Sequence, residues 1–422
     1  MVKRKRRKRG ISISNILICL GLIILIFLIV FEISNSKELR EKLFNLYNNV
    51  ENKNTSNEEI EIEPKEESYQ VTMIMAGDNL IHSSVYKDAY LGNNSYDFRK
   101  MYDLIKPIVS QYDIAYYNQE TILGGKELGV SNYPTFNSPQ EVGDAMIDAG
   151  FNLVSLATNH TMDSGERATL ASREYWNSRE NVLAVGSYSS FEERNNILVR
   201  EVNNVSYTML NYTYGTNGMP VPKGKEYLVN VWPTDLYIND VNRDTKYQEY
   251  KEQVKNDIES VRDKVDVLIV AMHWGVEYTH EPTAYQKDMA QYLASLDVDI
   301  VVGTHPHVIQ PITWIDDTLV IYSLGNLISA QYQDANYNKM VGLMTSLEIN
   351  KTVKGDSVSI TIDNIDNELI YTYYKNWRNF KVVPFSNPVI KDYLPNYNSV
   401  YNRYKEIVQR YDSNISVKDL SE

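Results

Sequence analysis

Six histidines stand among 422 residues, and five of them fall in short polar clusters that directly follow apolar runs of strand length. The runs and clusters read VTMIMAGDNLIH (Val71 to His82), FNLVSLATNH (Phe151 to His160), VDVLIVAMHWG (Val265 to Gly275) and VDIVVGTHPH (Val298 to His307). His305-Pro306-His307 sets two imidazoles two residues apart beyond a buried strand; in an extended segment both rings face the same side. Asn159-His160 closes another run, with Asp163 three residues on. Asp78 follows a strand in GDNLIH, and His82 comes four residues later, placed either to ligate or to orient Asp78. Asn118 and Glu120 end DIAYYNQE, while His273 ends VDVLIVAMHWG with Glu277 four residues on. Mixed imidazole, carboxylate and amide donors suit one or two divalent ions of the Mn, Fe or Zn type. Such an ion makes hydroxide near neutral pH and clamps an anionic oxygen. Trp274 and Tyr278 are placed to line a substrate groove, and His280, which follows no strand run, reads as a loop residue.

Bringing these clusters together requires strands whose ends share one edge of a sheet. β-Branched runs at Val71–Ala76, Ile114–Asn118, Leu153–Leu156, Val182–Val185, Val267–Ala271, Ile300–Val302 and Leu319–Ser323 alternate with helical stretches. The helical stretches are Phe98–Gln111, Gln140–Gly150, Glu166–Asn177, Lys246–Val265 and Ala284–Leu296. That alternation predicts an α/β fold with a largely parallel sheet and ligands at the strand ends. After Leu327 the pattern turns to β, which predicts a second sheet packed on the first, and Val389 to Gln409 reads as a terminal helix. Between Tyr212 and Tyr247 the chain loses periodicity, as a functional lid or an ordinary surface excursion would.

The succession GDNLIH, NQE, ATNHTMDSG, HWGVEY, VDIVVGTHPHVIQP and IYSLGN, from Val71 to Leu327, resembles the CapA family of poly-γ-glutamate capsule biosynthesis proteins. That family is built on the calcineurin-like metallophosphoesterase fold, two mixed β-sheets flanked by helices with metals at the sheet edge. The resemblance implies that Asp78 and His307 serve a first metal, and that Asn159, His273 and His305 serve a second. His160 resembles the superfamily's outer-shell acid, which protonates a leaving group or steadies the transition state. Asn118 is expected among the metal ligands, and Glu120 and Asp163 with His160 in the catalytic set. Substrate contacts fall to His82, Trp274, Glu277 and Asn326. Two departures stand out: Leu80 occupies the place of the usual Asp-x-His histidine, and Asn118-Gln119-Glu120 stands where a bridging aspartate belongs. Glu120 is the group placed to bridge.

The ends and the charge bound the rest. Residues 1–10 hold seven Lys/Arg, and 11–33 are almost uninterrupted Ile, Leu, Val and Phe. About 20 such residues cross a bilayer core, and flanking basic residues keep the N-terminus cytoplasmic. The run is longer than a usual signal-peptide core, and no small-x-small cleavage site follows it. The expectation is a single-pass anchor in the cell membrane with the remainder outside: a polar stalk at 34–68, a core at 69–330, and a C-terminal β extension and terminal helix at 331–422 completing it. The one cysteine, Cys19, lies in the apolar run, so disulfides and Cys-ligated zinc are excluded outside it. Beyond residue 10 the chain has 35 basic against 55 acidic residues, a surface that repels nucleic acid.

The expected partners are an anionic γ-glutamyl or other envelope polymer and membrane synthase subunits. The expected role is in synthesis, export or retention of that polymer through a metal-dependent hydrolase-like site. Two other classes fit the same residues: a non-catalytic accessory or polymer-binding subunit, and a general surface metallophosphoesterase.

Overall fold

The computed structural model describes residues 36–51, 65–231, 243–332 and 337–420, together with Leu22. The expected basic segment 1–10, the apolar run 11–33 apart from Leu22, and residues 34–35 and 52–64 of the expected stalk 34–68 lie outside the described residues. Among the described residues no helix is long and apolar enough to cross a membrane. Two compact units are present. The larger takes in Tyr69–Lys351 and Ile360–Glu422; in the smaller, which includes Thr352–Ser359, the helix Lys37–Glu51 is described.

The strands, in chain order, are β1 (Glu66–Asn79), β2 (Tyr90–Gly92), β3 (Ser95–Tyr96), β4 (Ile114–Asn118), β5 (Leu153–Ser155), β6 (Leu183–Val185), β7 (Arg200–Val202), β8 (Val205–Thr213), β9 (Val267–His273), β10 (Ile300–Thr304), β11 (Ile309–Ile315), β12 (Thr318–Leu324), β13 (Asn326–Ile328), β14 (Val341–Lys354), β15 (Ser357–Lys375) and β16 (Arg378–Pro384). One sheet runs β16-β15-β14-β1-β4-β5-β6, with β13 also paired to β1; the other runs β11-β12-β10-β9-β8-β7. The sequence reading placed the C-terminal strands in a sheet of their own. Instead β14 to β16 extend the first sheet beside β1, and β7 to β12 make the second.

Both sheets are mixed, as the resemblance implied. β1, β4, β5 and β6 are parallel neighbours, as are β8, β9, β10 and β12. Antiparallel partners finish the rims at β7–β8, β11–β12 and β15–β16. The central parallel strands are buried along their whole length, which is why they read as continuous apolar runs rather than alternating ones. β11 escaped the sequence reading because Pro311 interrupts it, and a proline fits there because β11 is the edge of its sheet.

Helices Glu141–Asp148 and Gly165–Asn177 pack Val142, Met146, Tyr175 and Trp176 onto Ala115, Tyr117 and Val154 of the first sheet. Helices Arg243–Val261 and Ala284–Ser295 do the same for the second sheet with Val254, Ile258, Met289 and Leu293. Asn211 of β8 ties the two sheets near the site, accepting the backbone N–H of Leu156 at 2.9 Å.

The close approach at the end of β1 depends on Gly77. A Cβ there would lie 1.8 Å from the Gly325 carbonyl oxygen, which accepts the Asp78 N–H at 2.9 Å. Both partners are backbone, so neither can swing aside. Gly77→Ala is expected to cost about 3 kcal/mol of stability by overpacking, read as a lower denaturant midpoint.

Candidate metal centre

The site grows from one register line. Asp78 on β1 pairs with Asn118 on β4 and with Asn326 on β13, so three polar residues sit abreast at the sheet edge. Asn118 donates its amide to Asp78 Oδ1 at 2.8 Å and accepts Ser155 Oγ at 2.7 Å. Turning the amide over would set its oxygen against a carboxylate, so this orientation holds. Asn118, expected among the ligands, thus orients Asp78 through its amide N–H, and one lone pair of its oxygen is taken by Ser155.

His305 and His307 arrive from the end of β10 by a route the sequence reading did not anticipate. The segment is not extended: φ is +95° at His305 and +57° at His307. Non-glycine residues in this region are uncommon and cost of order 1–3 kcal/mol each, a strain that collects at functional sites. The strained turn aims both rings inward, with centroids 5.9 Å apart. The His305 N–H also points at Asp78 Oδ2, 3.2 Å away. His307 Nδ1 lies 3.0 Å from Asn326 Oδ1 and 3.2 Å from Asp78 Oδ2. Both neighbours are acceptors, so Nδ1 carries a hydrogen and Nε2 is the atom turned toward Glu120. Asn326, expected at the substrate, instead fixes this ring from behind. Its own amide is held by Ser329 Oγ, Gln331 Oε1 and the Lys339 carbonyl.

Glu120 occupies the centre. Its Oε1 is 3.5 Å from His307 Nε2 and 3.8 Å from His273 Nε2, and the Glu120, His305 and His307 donor atoms all lie within 4.8 Å of one another. The side chain is fully buried, yet neither oxygen has a hydrogen-bond partner, and neither does His305 Nδ1. Buried polar atoms are nearly always satisfied, so three orphans pointing into one cluster fit a cation-binding role. Residues just beyond β4 and β10 supply this set, and Asp78, Asn159 and, from β9, His273 border it.

His273 Nε2 donates to Asn159 Oδ1 at 2.9 Å, while its Nδ1 meets the Thr304 hydroxyl at 3.0 Å. His160 stands beside this pair. Its Nδ1 donates to Asp163 Oδ2 at 2.7 Å, and that oxygen also accepts the Phe136 N–H at 2.7 Å. The Phe136 ring abuts His160 edge-on at 4.8 Å. Held in this way, His160 keeps Nε2 for another task.

The aperiodic stretch after Tyr212 contributes two residues that pattern reading missed. Asn217 accepts from Asn159 Nδ2 at 3.2 Å and approaches His160 Nδ1 at 3.3 Å; the Tyr214 ring lies 4.5 Å from that of His305. Neither follows a strand run, so no signal marked them; residues 232–242 of the stretch lie outside the described residues.

Other expected residues fall at varied depths. His82 packs its ring at 5.3 Å from Phe136 and accepts the Ala330 N–H at 3.3 Å. It makes no contact with Asp78 among the described hydrogen bonds. Trp274, expected at a groove, is buried in the second sheet's core, donating to the Tyr322 carbonyl at 2.9 Å and stacking on that ring. The same indole also lines a small cavity with Tyr214, His273 and Gln286. Glu277 does sit at the mouth, 43% exposed and 3.9 Å from His307 Nε2. His280 is a structural residue, its ring nitrogens 2.7 Å from the Ile309 carbonyl and 3.2 Å from Asn338 Oδ1.

The electrostatics follow from burial. Loss of solvent holds His273 and His305 well below the usual imidazole range, reinforced by their neighbouring rings. The same cause, with His307 nearby, lowers His82 to about 4. Burial would lower His307 too, but Glu120 and Asp78 outweigh it and raise it to about 10. Burial pushes the Glu120 carboxyl well above its ordinary range despite His307, with Asp78 adding to the effect. The cluster therefore holds two neutral imidazoles, His273 and His305, and one cationic imidazole, His307, beside a carboxyl that burial disfavours in its charged form.

A family described as bacterial capsule synthesis protein PGA_cap matches residues 72–331. The capsule biosynthesis protein CapA of Bacillus anthracis is 26% identical over 272 residues, 63% of this chain and 61% of that protein. The PGA biosynthesis protein CapA of Bacillus subtilis (strain 168) is 27% identical over 186 residues, 44% of each chain. The match thus spans less than two thirds of either curated relative. Among solved structures, a candidate 5'-nucleotidase from Staphylococcus aureus in complex with alpha-ketoglutarate superimposes with a TM-score of 0.42 at 13% identity. That alignment covers 79% of this chain and 58% of the other.

Proposed function

The chain belongs to the bacterial capsule synthesis protein family PGA_cap, and from that premise we propose that it acts in synthesis, export or retention of poly-γ-glutamate or a related cell-envelope polymer. The proposed means is a metal-dependent hydrolase-like site. One observation supports this most: a buried carboxylate with no hydrogen-bond partner, ringed by imidazoles, next to an aspartate-held histidine.

Glu120, His305 and His307 would hold a divalent ion, Mn, Fe or Zn, with Asp78, Asn159 and His273 bordering it or holding a second. When bound, the ion would supply Lewis acidity and a more acidic water. The chain's own residues do the rest. Asp163 holds the proton on His160 Nδ1 and fixes the ring, leaving Nε2 to deliver a proton to the departing oxygen or nitrogen. In a γ-glutamyl amide the C–N bond breaks, water supplies the new C–O bond, and the amine leaves protonated. A phosphoester would be cleaved with the same proton placement. Glu277 at the mouth meets substrate first. Residues 11–33 would anchor the chain in the membrane with the core outside, near membrane synthase subunits.

The test is His160→Ala in the purified full-length protein, with metal content and hydrolysis of γ-glutamyl oligomers and model phosphoesters measured together. Metal is expected to stay while turnover falls about 10²–10⁴-fold, the usual contribution of a general acid. Unchanged turnover would remove His160 from the mechanism. A fully metal-loaded wild type that cleaves neither substrate class would replace catalysis with an accessory, polymer-binding role.

A further inference from the structure

The mouth of the cluster carries a carboxylate, Glu277, which hydrogen-bonds Tyr278, and on the face of the same tyrosine a cation, Lys339. Among the described residues Lys339 makes no ion pair; its ammonium sits 5.1 Å from the Tyr278 ring centroid. The residue is half-buried. Lys339 is also held in place: its carbonyl accepts the Asn326 amide at 2.8 Å.

Tyr278 is equally fixed. Its φ is +64°, a conformation a bulky residue adopts only under constraint, and its N–H donates to the Pro306 carbonyl at 2.7 Å. Its hydroxyl accepts Gln331 Nε2 at 3.1 Å, and Gln331 Oε1 in turn accepts the Asn326 amide that braces His307. The ring is 47% exposed and its centroid lies 6.0 Å from that of His307. One hydrogen-bonded chain therefore runs from His307 through Asn326 and Gln331 to an exposed ring that carries an unpaired ammonium.

We propose that Lys339, seated on Tyr278, is a carboxylate-recognition subsite one substrate unit out from the metal cluster. This inference rests on the γ-glutamyl reading above and deepens it. A γ-linked glutamyl chain keeps one free α-carboxylate per unit, so an amide bound at Glu120 brings an anion to the mouth at a regular spacing. The ammonium receives that anion, and the Tyr278 face packs against the intervening methylenes and amide plane. Lys339 is thus a specificity-determining residue, distant from the bond that breaks.

Binding of a short oligo-γ-glutamate and of its α-methyl ester to the metal-loaded full-length protein tests this, by calorimetry. Wild type is expected to prefer the acid about tenfold, as one charge-assisted contact allows. Lys339→Ala should bind acid and ester alike, at the wild-type affinity for the ester, while Lys339→Arg keeps the preference. Metal content equal to wild type in each variant shows that Asn326 and His307 are undisturbed. A Lys339→Ala protein that still prefers the acid as wild type does overturns the subsite and leaves the γ-glutamyl reading standing. Wild type that binds neither oligomer overturns both.

Discussion

Replacing Glu120 with Gln is expected to raise the melting temperature of the metal-free protein and to abolish the increment that metal adds. Asp78 and Glu120 are both buried, and only His307 among the surrounding rings is raised in its affinity for a proton. Without metal the cluster therefore holds two carboxyl groups against one cation. Glutamine keeps the volume, removes one acid and leaves the Asp78–His307 pair at 3.2 Å intact. A buried ion without full compensation costs several kcal/mol, so removing one acid is expected to stabilise the metal-free protein. With metal the sign reverses, because an ion at a hundred times its Kd stabilises wild type by about 2.7 kcal/mol and the variant has lost a central donor. Melting curves of both proteins, with and without added Mn or Zn, read both effects. A variant less stable than wild type without metal would show that Glu120 is held by the fold rather than by a cation.

The second large effect is loss of metal in His305→Ala/His307→Ala. Wild type should carry near-stoichiometric divalent metal by elemental analysis, and the double variant none. Metal uptake should also release protons near neutral pH. Coordination requires deprotonated donors, whereas Glu120 and His307 together retain at least about one proton there, His307 being raised to about 10 by the two acids once burial is offset. The sign is that protons compete with the ion, so affinity rises with pH up to that value and falls on acidification. Calorimetry in buffers of different ionisation enthalpy counts the protons. Absence of metal from a well-folded wild type would leave a binding module on an enzyme-like fold.

Much of the site was readable because burial on both faces writes itself as unbroken β-branched runs. A donor placed just after such a run has few places to go except the sheet edge. Asp78, Asn159, His273, His305 and His307 were found in that way. The His-Pro-His geometry was not: alternation in an extended strand was the premise, and a left-handed turn is the fact, since φ leaves no mark on residue type when strain is tolerated. Asn118 and Asn326 were legible as polar residues at strand ends, but their amide orientation depends on Ser155, Gln331 and Lys339, none of which pattern reading pairs with them. Tyr214 and Asn217 come from a stretch without period. The partition of strands between sheets was misread because nothing local in β14 says that its neighbour is β1.

The register line through Asp78 also dictates when the centre can come into being. Asp78 belongs to the first strand of the core, while His305 comes 227 residues later and β13 pairs with β1 later still. Such distant pairings form slowly, after the intervening loop entropy has been overcome. A nascent chain, however long it lingers, has no early pocket in which to trap a stray ion. An ion held at this cluster would be captured last, by a chain that has finished both sheets, so its occupancy would count the molecules that reached the native state.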